Sequence, residues 1–132
     1  MAINLAAESY NYSPLGEVIY AAEALSVTQI IDQTNLKDEN DQAVNLSFGE
    51  LVDVFTHDKT IYLVDRTMHR IYLLNEQYEY LGHFGELELK NPNAVYVTDD
   101  FIYVADTGNL RIAIFDHDLL FVKEIEAPAD PT

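Results

Sequence analysis

Two residue pairs recur with one spacing: Asp65 is followed five positions later by Arg70, and Asp106 by Arg111. A carboxylate and a guanidinium so placed could serve a metal or a proton transfer. They could equally tie a turn, the carboxylate accepting from turn amides and from the guanidinium. Because the pair appears identically in two places, the turn-tying role is the better reading. In a dry site, loss of one partner would cost roughly 3–5 kcal/mol.

The other chemistry-bearing residues are scattered. His57, His69, His83 and His117 share no i, i+4 ligand spacing, so no metal site is expected from them. Asp38, Asn40 and Gln42 alternate like the start of a calcium loop, but the glycine and glutamate that such a loop needs are missing, which leaves a solvated acidic loop. The chain contains no G-x-S-x-G, P-loop or H-E-x-x-H motif, so serine-nucleophile, nucleotide-phosphate and zincin chemistries have no support. No catalytic residue and no cofactor are assigned. Tyr62, Tyr72, Tyr96 and Tyr103 fall within strand-like runs and read as packing residues, whereas Tyr10, Tyr12 and Tyr78 are freer to meet a ligand.

Elements must position these side chains, and a repeat supplies them. Residues 61–74 (IYLVDRTMHRIYLL) align without a gap on residues 102–115 (IYVADTGNLRIAIF), an offset of 41 residues. Leu46 and Leu87, Val54 and Val95, Asp58 and Asp99, and Phe84 and Ile125 keep the same register. Each unit reads as four short β-branched and aromatic strands joined by polar turns, the size of one propeller blade. Between the second and third strands of the second unit lies Thr107-Gly108-Asn109, where Gly or Asn can take a positive φ. The units span 46–86 and 87–127, with a short tail at 128–132.

Residues 1–45 are not a third copy, since Ala24 and Gln29 stand where the repeated Asp and Arg would fall. Val27-Thr-Gln-Ile30 matches the spacing of the fourth strands, so about 26–31 is expected to be a lone outer strand that closes some other blade. A polar loop at 37–42 follows it.

The stretch NPNAVYVTDDFIYVADTGNLRIAIFD, Asn91 to Asp116, resembles an NHL repeat of the six-bladed TolB-like propeller superfamily, and YVADTGNLRI is its most telling part. The first unit departs from that pattern: Arg66-Thr-Met-His69 replaces the Thr-Gly-Asn turn and Leu51 replaces Pro92. Tyr10 to Asp32 is similar to the start of exported bacterial NHL proteins. The resemblance implies an all-β fold: two four-stranded antiparallel blades plus an N-terminal outer strand, an incomplete propeller or one completed by oligomerisation. Two blades cannot close a ring, so further blades are expected from a longer protein or from copies of this chain; three copies would supply six. The longer protein is the preferred reading.

Charge narrows the partners. Against 23 Asp and Glu stand 7 Lys and Arg, a net charge of −16. That field repels phosphate backbones and anionic headgroups, so neither nucleic acid nor membrane contact by this chain is expected. The absence of cysteine removes disulfides and thiolate metal sites. In a propeller the turns after the second and fourth strands share one end, and here they include Arg66, His69, Lys90, Asn91, Asn93 and Asn109 with few acids. The opposite turns carry Asp58, Glu76, Asp99, Asp100, Asp116 and Asp118. The less acidic end is the expected ligand face, screened by the 38–42 loop. The function implied is a non-enzymatic binding or scaffold module for a protein or small ligand, outside the cytoplasm. The alternative is a propeller enzyme of lactonase or amidating-lyase type with a metal in the central channel.

Overall fold

The computed structural model describes residues 34–128, together with four two-residue strands ahead of them. Those are β1 (Ile3–Asn4), β2 (Asn11–Tyr12), β3 (Val18–Ile19) and β4 (Ile30–Ile31). β1 pairs with β4 and β2 with β3, both antiparallel. Of the expected closing strand at 26–31, residues 26–29 lie outside the described residues. Ile30–Ile31 pairs with Ile3–Asn4, in a sheet separate from the two larger ones.

Two four-stranded antiparallel meanders form the rest, so the chain is all-β. The first sheet contains β5 (Leu51–His57), β6 (Thr60–Asp65), β7 (Arg70–Leu74) and β8 (Tyr80–Phe84). The second contains β9 (Pro92–Val97), β10 (Ile102–Asp106), β11 (Arg111–Phe115) and β12 (Phe121–Glu126). The sole helical turn among the described residues is the 3-10 turn Thr107–Asn109, and none of their helices is long and apolar enough to cross a membrane.

Local chemistry explains the repeated hairpins. Asn75 Oδ1 accepts from the amides of Gln77 and Glu79 at 3.0 and 2.9 Å. Forty-one residues on, Asp116 Oδ1 accepts from Asp118 and Leu120, both at 3.0 Å. Each side chain substitutes for a backbone acceptor and sets its turn. The β5–β6 connection is a two-residue turn in which Asp58 and Lys59 both take positive φ, 44° and 67°, matching the strand twist.

The sheets pack face to face. Tyr62, Val64, Ile71 and Leu73 of the first meet Val95, Val104, Ala113 and Phe115 of the second in one apolar cluster, where Phe84 and Phe115 are 4.9 Å apart edge to face. Each such side chain removed from water contributes about 1.5–3 kcal/mol. The other face of the first sheet carries Ile61, Leu63, Tyr72 and Leu74, covered by Leu36 and Phe48 from the preceding segment. β6 and β7 are therefore buried on both sides, which explains their unbroken apolar runs. β9 alternates and β12 is exposed throughout, because the far side of the second sheet has no such cover among the described residues.

Candidate functional site

Asp106 ends β10 fully buried. The Lys90 amide donates to its Oδ1 at 2.6 Å, and Asn109 Nδ2 and Arg111 Nε donate to its Oδ2 at 2.9 and 2.8 Å. Arg111 also donates to the Glu88 carbonyl at 2.7 Å, pairs with Glu124, and lies over the Phe121 ring at 5.1 Å. The Asp106 hydrogen bond raises the Arg111 pKa above its ordinary value, outweighing burial, which lowers it, and Glu124 adds to the rise. This is the turn tie in full: one buried carboxylate joins the β10–β11 turn to the loop that precedes β9.

The first sheet does it differently. Asp65 is also fully buried. It accepts from the Gly49, Glu50 and Met68 amides at 2.7, 3.1 and 3.0 Å and from the Tyr72 hydroxyl at 3.0 Å. Arg70 instead donates to the Met68 carbonyl at 3.3 Å, so the expected Asp65–Arg70 pair does not form. The reason is local. Tyr72 is the 41-residue counterpart of Ala113, and its phenol supplies the donor that Arg111 supplies in the second sheet. Burial first, and Asp65 next, push the Tyr72 pKa well above the ordinary tyrosine value.

The glycine has also changed sides. A Cβ on Gly108 would sit 2.5 Å from the Lys90 carbonyl oxygen; on Gly49, the counterpart of Lys90, it would sit 2.0 Å from Oγ1 of Thr67, the counterpart of Gly108. Both turns therefore approach the preceding loop closely, and the one lacking Thr-Gly-Asn is built alike. Its positive φ falls on His69 (57°), as the second unit's falls on Leu110 (53°) rather than on Gly108 or Asn109.

The expected ligand-face residues do come together, largely bonded to each other across the two sheets. Arg66 donates to Asn93 Oδ1 at 3.1 Å and pairs with Glu50. The Asn91 amide donates to His69 Nδ1 at 2.9 Å, and Asn93 Nδ2 to Thr107 Oγ1 at 2.7 Å. Asn109 bonds Asp106 and the Glu88 carbonyl. The Arg66 hydrogen bond holds the Glu50 carboxyl below its ordinary pKa. Of the six, Lys90 alone is left with an ammonium that bonds to none of the described residues, and it is exposed. Beside it Thr107 and Leu110 are exposed as well.

The 38–42 loop does not screen that end. Tyr80, at the start of β8, donates its amide to the Lys37 carbonyl at 2.7 Å, which holds the loop beside the Glu76–Tyr78 turn at the opposite, acidic end. Asp38 folds back to accept from the Asn40 and Gln42 amides at 2.8 and 3.0 Å. Tyr78 packs against the second apolar cluster, and the Tyr10 and Tyr12 side chains lie outside the described residues.

The acidic end also holds a group that sequence spacing missed. His57 Nε2 lies 3.0 Å from Asp99, the His57 and His117 rings are 6.2 Å apart, and His117 Nε2 meets the Thr98 carbonyl at 2.8 Å. His57, Asp99 and His117, with Asp58, Thr60 and Tyr62, line a cleft of about 290 Å³. No histidine repeats at the 41-residue offset, so only the packing of one sheet on the other could bring them together. Among the described residues, no group of three or more His, Asp or Glu side chains could hold a metal ion.

Residues 89–115 match the family model described as NHL repeat, a span covering β9, β10, β11 and the Asp106 tie. Among curated proteins, none matches the chain. Three of the second sheet's four strands thus lie within a detected NHL repeat, and the two four-stranded antiparallel sheets have the form expected of blades in a partial propeller.

Proposed function

We propose that the chain is a propeller-type protein-interaction module without catalysis of its own, which meets its partner at the end bearing the Arg66–His69, Lys90–Asn93 and Thr107–Leu110 turns. The observation that carries this reading is the NHL repeat over 89–115. Its turn Thr107–Leu110 is anchored by buried Asp106 yet exposes its side chains. An anchored turn loses little conformational entropy on binding, which favours recognition. Lys90 gives this end a cation that pairs with none of the described residues, so a neutral or weakly acidic protein surface suits it. The likeness of residues 10–32 to exported chains supports a place outside the cytoplasm; these residues fall almost wholly outside the described ones.

The test replaces Leu110, and separately Leu120 at the other end, with a diazirine analogue of leucine in the producing cell. Both positions are exposed, 72% and 63%. Photolysis should yield a discrete protein adduct from position 110 that Lys90→Glu abolishes. Adducts from position 120 alone, or adducts indifferent to Lys90, would refute this reading.

A further inference from the structure

β8 carries a hydrogen-bonded chain of side chains that the second sheet lacks. On a regular strand Tyr80 and His83, three positions apart, would point to opposite faces. Here the register shifts: Leu74 faces Tyr80 and Leu73 faces Gly82, so Leu81 is an extra residue. A bulge of this kind re-aims a side chain. It puts Tyr80 and His83 on the side of Tyr72 and Leu74, with their rings stacked at 6.3 Å and the Tyr80 hydroxyl bonded to His83 Nδ1. His83 Nε2 lies 3.1 Å from the Glu86 carboxylate. The 41-residue counterparts are Phe121, Glu124 and Ala127, which can form no such chain.

The donors fix where the protons sit. An ionised carboxylate only accepts, so Nε2 of the neutral ring carries its hydrogen toward Glu86 and Nδ1 is left as the acceptor. The phenol therefore donates to Nδ1. A tyrosine that loses an electron becomes a strong acid and sheds its proton. Nδ1 is in place to receive it, and Glu86 faces the imidazolium that results, as a carboxylate does when it stabilises a charged histidine. Release of the proton alone is opposed: burial holds the Tyr80 pKa above its ordinary value, outweighing Arg70, which lowers it, while Glu86 adds to the rise. Proton and electron must leave together.

Other described tyrosines are placed less well. Tyr72 also donates to a base, Asp65, but it is fully buried, and Asp65 already accepts from three amides. A carboxylate is in any case a weaker base than an imidazole, by roughly two pKa units in their ordinary states. Tyr96 is 59% exposed, yet its hydroxyl bonds to none of the described residues. Tyr80 combines partial exposure on an edge strand with a base already bonded to its hydroxyl.

We propose that Tyr80 is the preferred site of one-electron oxidation among the described tyrosines, and of the ring modification that follows, with His83 Nδ1 as its proton acceptor and Glu86 as the charge that stabilises the imidazolium. The oxidant is a small diffusible radical of the nitrogen dioxide class. One such molecule takes an electron from the Tyr80 ring and leaves as nitrite, while the O–H bond of Tyr80 breaks and an N–H bond to Nδ1 forms. A second joins the phenoxyl radical at the ring carbon next to the oxygen, forming a C–N bond. That carbon's hydrogen leaves as a proton, the oxygen takes one up, and His83 returns its own to water. The products are nitrotyrosine, nitrite and a proton.

The test exposes the full chain to a limiting dose of nitrogen dioxide, generated by radiolysis of dilute nitrite, and maps nitration at each tyrosine by mass spectrometry. Exposure alone would direct the product to Tyr96; the relay directs it to Tyr80 first. His83→Phe should lower Tyr80 nitration about tenfold relative to Tyr96, the effect of one charge-assisted hydrogen bond. Glu86→Gln, which keeps an acceptor and removes the charge, should lower it about threefold, as for a partly exposed ion pair. Tyr96 is the internal clock in each variant, and an unchanged circular dichroism spectrum controls for folding. Nitration that favours Tyr96 over Tyr80 in the unaltered chain, or a Tyr80 yield indifferent to His83→Phe, would overturn the proposal. Should His83→Phe fail to fold, the exposed Glu86 decides: an unchanged Tyr80 yield in Glu86→Gln would overturn it as well.

Discussion

Asp65 and Asp106 occupy equivalent buried positions and tie equivalent turns, but one is satisfied by neutral donors and the other by a guanidinium. What the repeat preserves is the carboxylate and the backbone amide it captures, Gly49 in one unit and Lys90 in the other. The final donor is free to change with packing. The strongest test of this difference removes the two arginines. Arg111→Ala should cost roughly 3–5 kcal/mol in urea unfolding, because it strands a buried carboxylate. Arg70→Ala, which loses a 3.3 Å bond to a carbonyl, should cost about 1 kcal/mol or less. Equal losses would mean that the two ties are alike after all.

The sheets differ as much in what covers them. Ile71 and Ile112 are repeat counterparts, the first fully buried between the sheets and the second 40% exposed. Ile71→Ala should therefore cost about 2–5 kcal/mol, the usual range for emptying a packed core position. Ile112→Ala should stay within about 1 kcal/mol, since water already reaches the site. Paired denaturation curves decide it, and an Ile112→Ala loss as large as that at Ile71 would mean that the second face is covered in solution.

Tyr72 sharpens the contrast further, because it does for Asp65 what Arg111 does for Asp106. Tyr72→Phe should cost about 1.5–3 kcal/mol, the range for a hydrogen bond to a charged group. The phenol also has a pH signature. Burial and Asp65 raise its pKa above the unfolded value of 10.0, so the folded chain holds this proton more tightly. The stabilisation is complete below about pH 10 and is lost as the pH rises beyond it. Tyr72→Phe should flatten the alkaline fall in stability, and an unchanged slope would remove Tyr72 from the account.

Much of this architecture was legible in the residues. The offset that aligns Ile61 with Ile102 and Asp65 with Asp106 places eight strands and both buried carboxylates, because a strand's period and a turn's acceptor are local properties. Other features depend on packing. Nothing in the spacing says that Tyr72 would take the place of an arginine, or that the glycine missing from one turn is supplied by Gly49 across the gap. Leu36 and Phe48 follow no repeat, so their covering of the first sheet was invisible, as was the 38–42 loop's attachment beside Tyr80. The six candidate-face residues do gather at one end, but Glu50 was not foreseen there, and it occupies the arginine expected to meet a ligand.

That ion pair gives the smallest effect. Glu50 and Arg66 have Asn91 and Thr107 as their counterparts, so the pair exists only in the first unit. Both side chains are substantially exposed, which leaves their attraction open to screening. Because Arg66 lowers the Glu50 pKa from 4.5, the pair's contribution is present above that value and fades as the pH falls through the lowered one. Glu50→Gln should therefore produce a slight loss at neutral pH in dilute buffer, and none in acid or in roughly 1 M salt, where the screening length is about 3 Å. A loss that persists in salt would show that Glu50 acts by positioning Arg66 against Asn93, making the pair part of the seam between the sheets rather than an ornament on one of them.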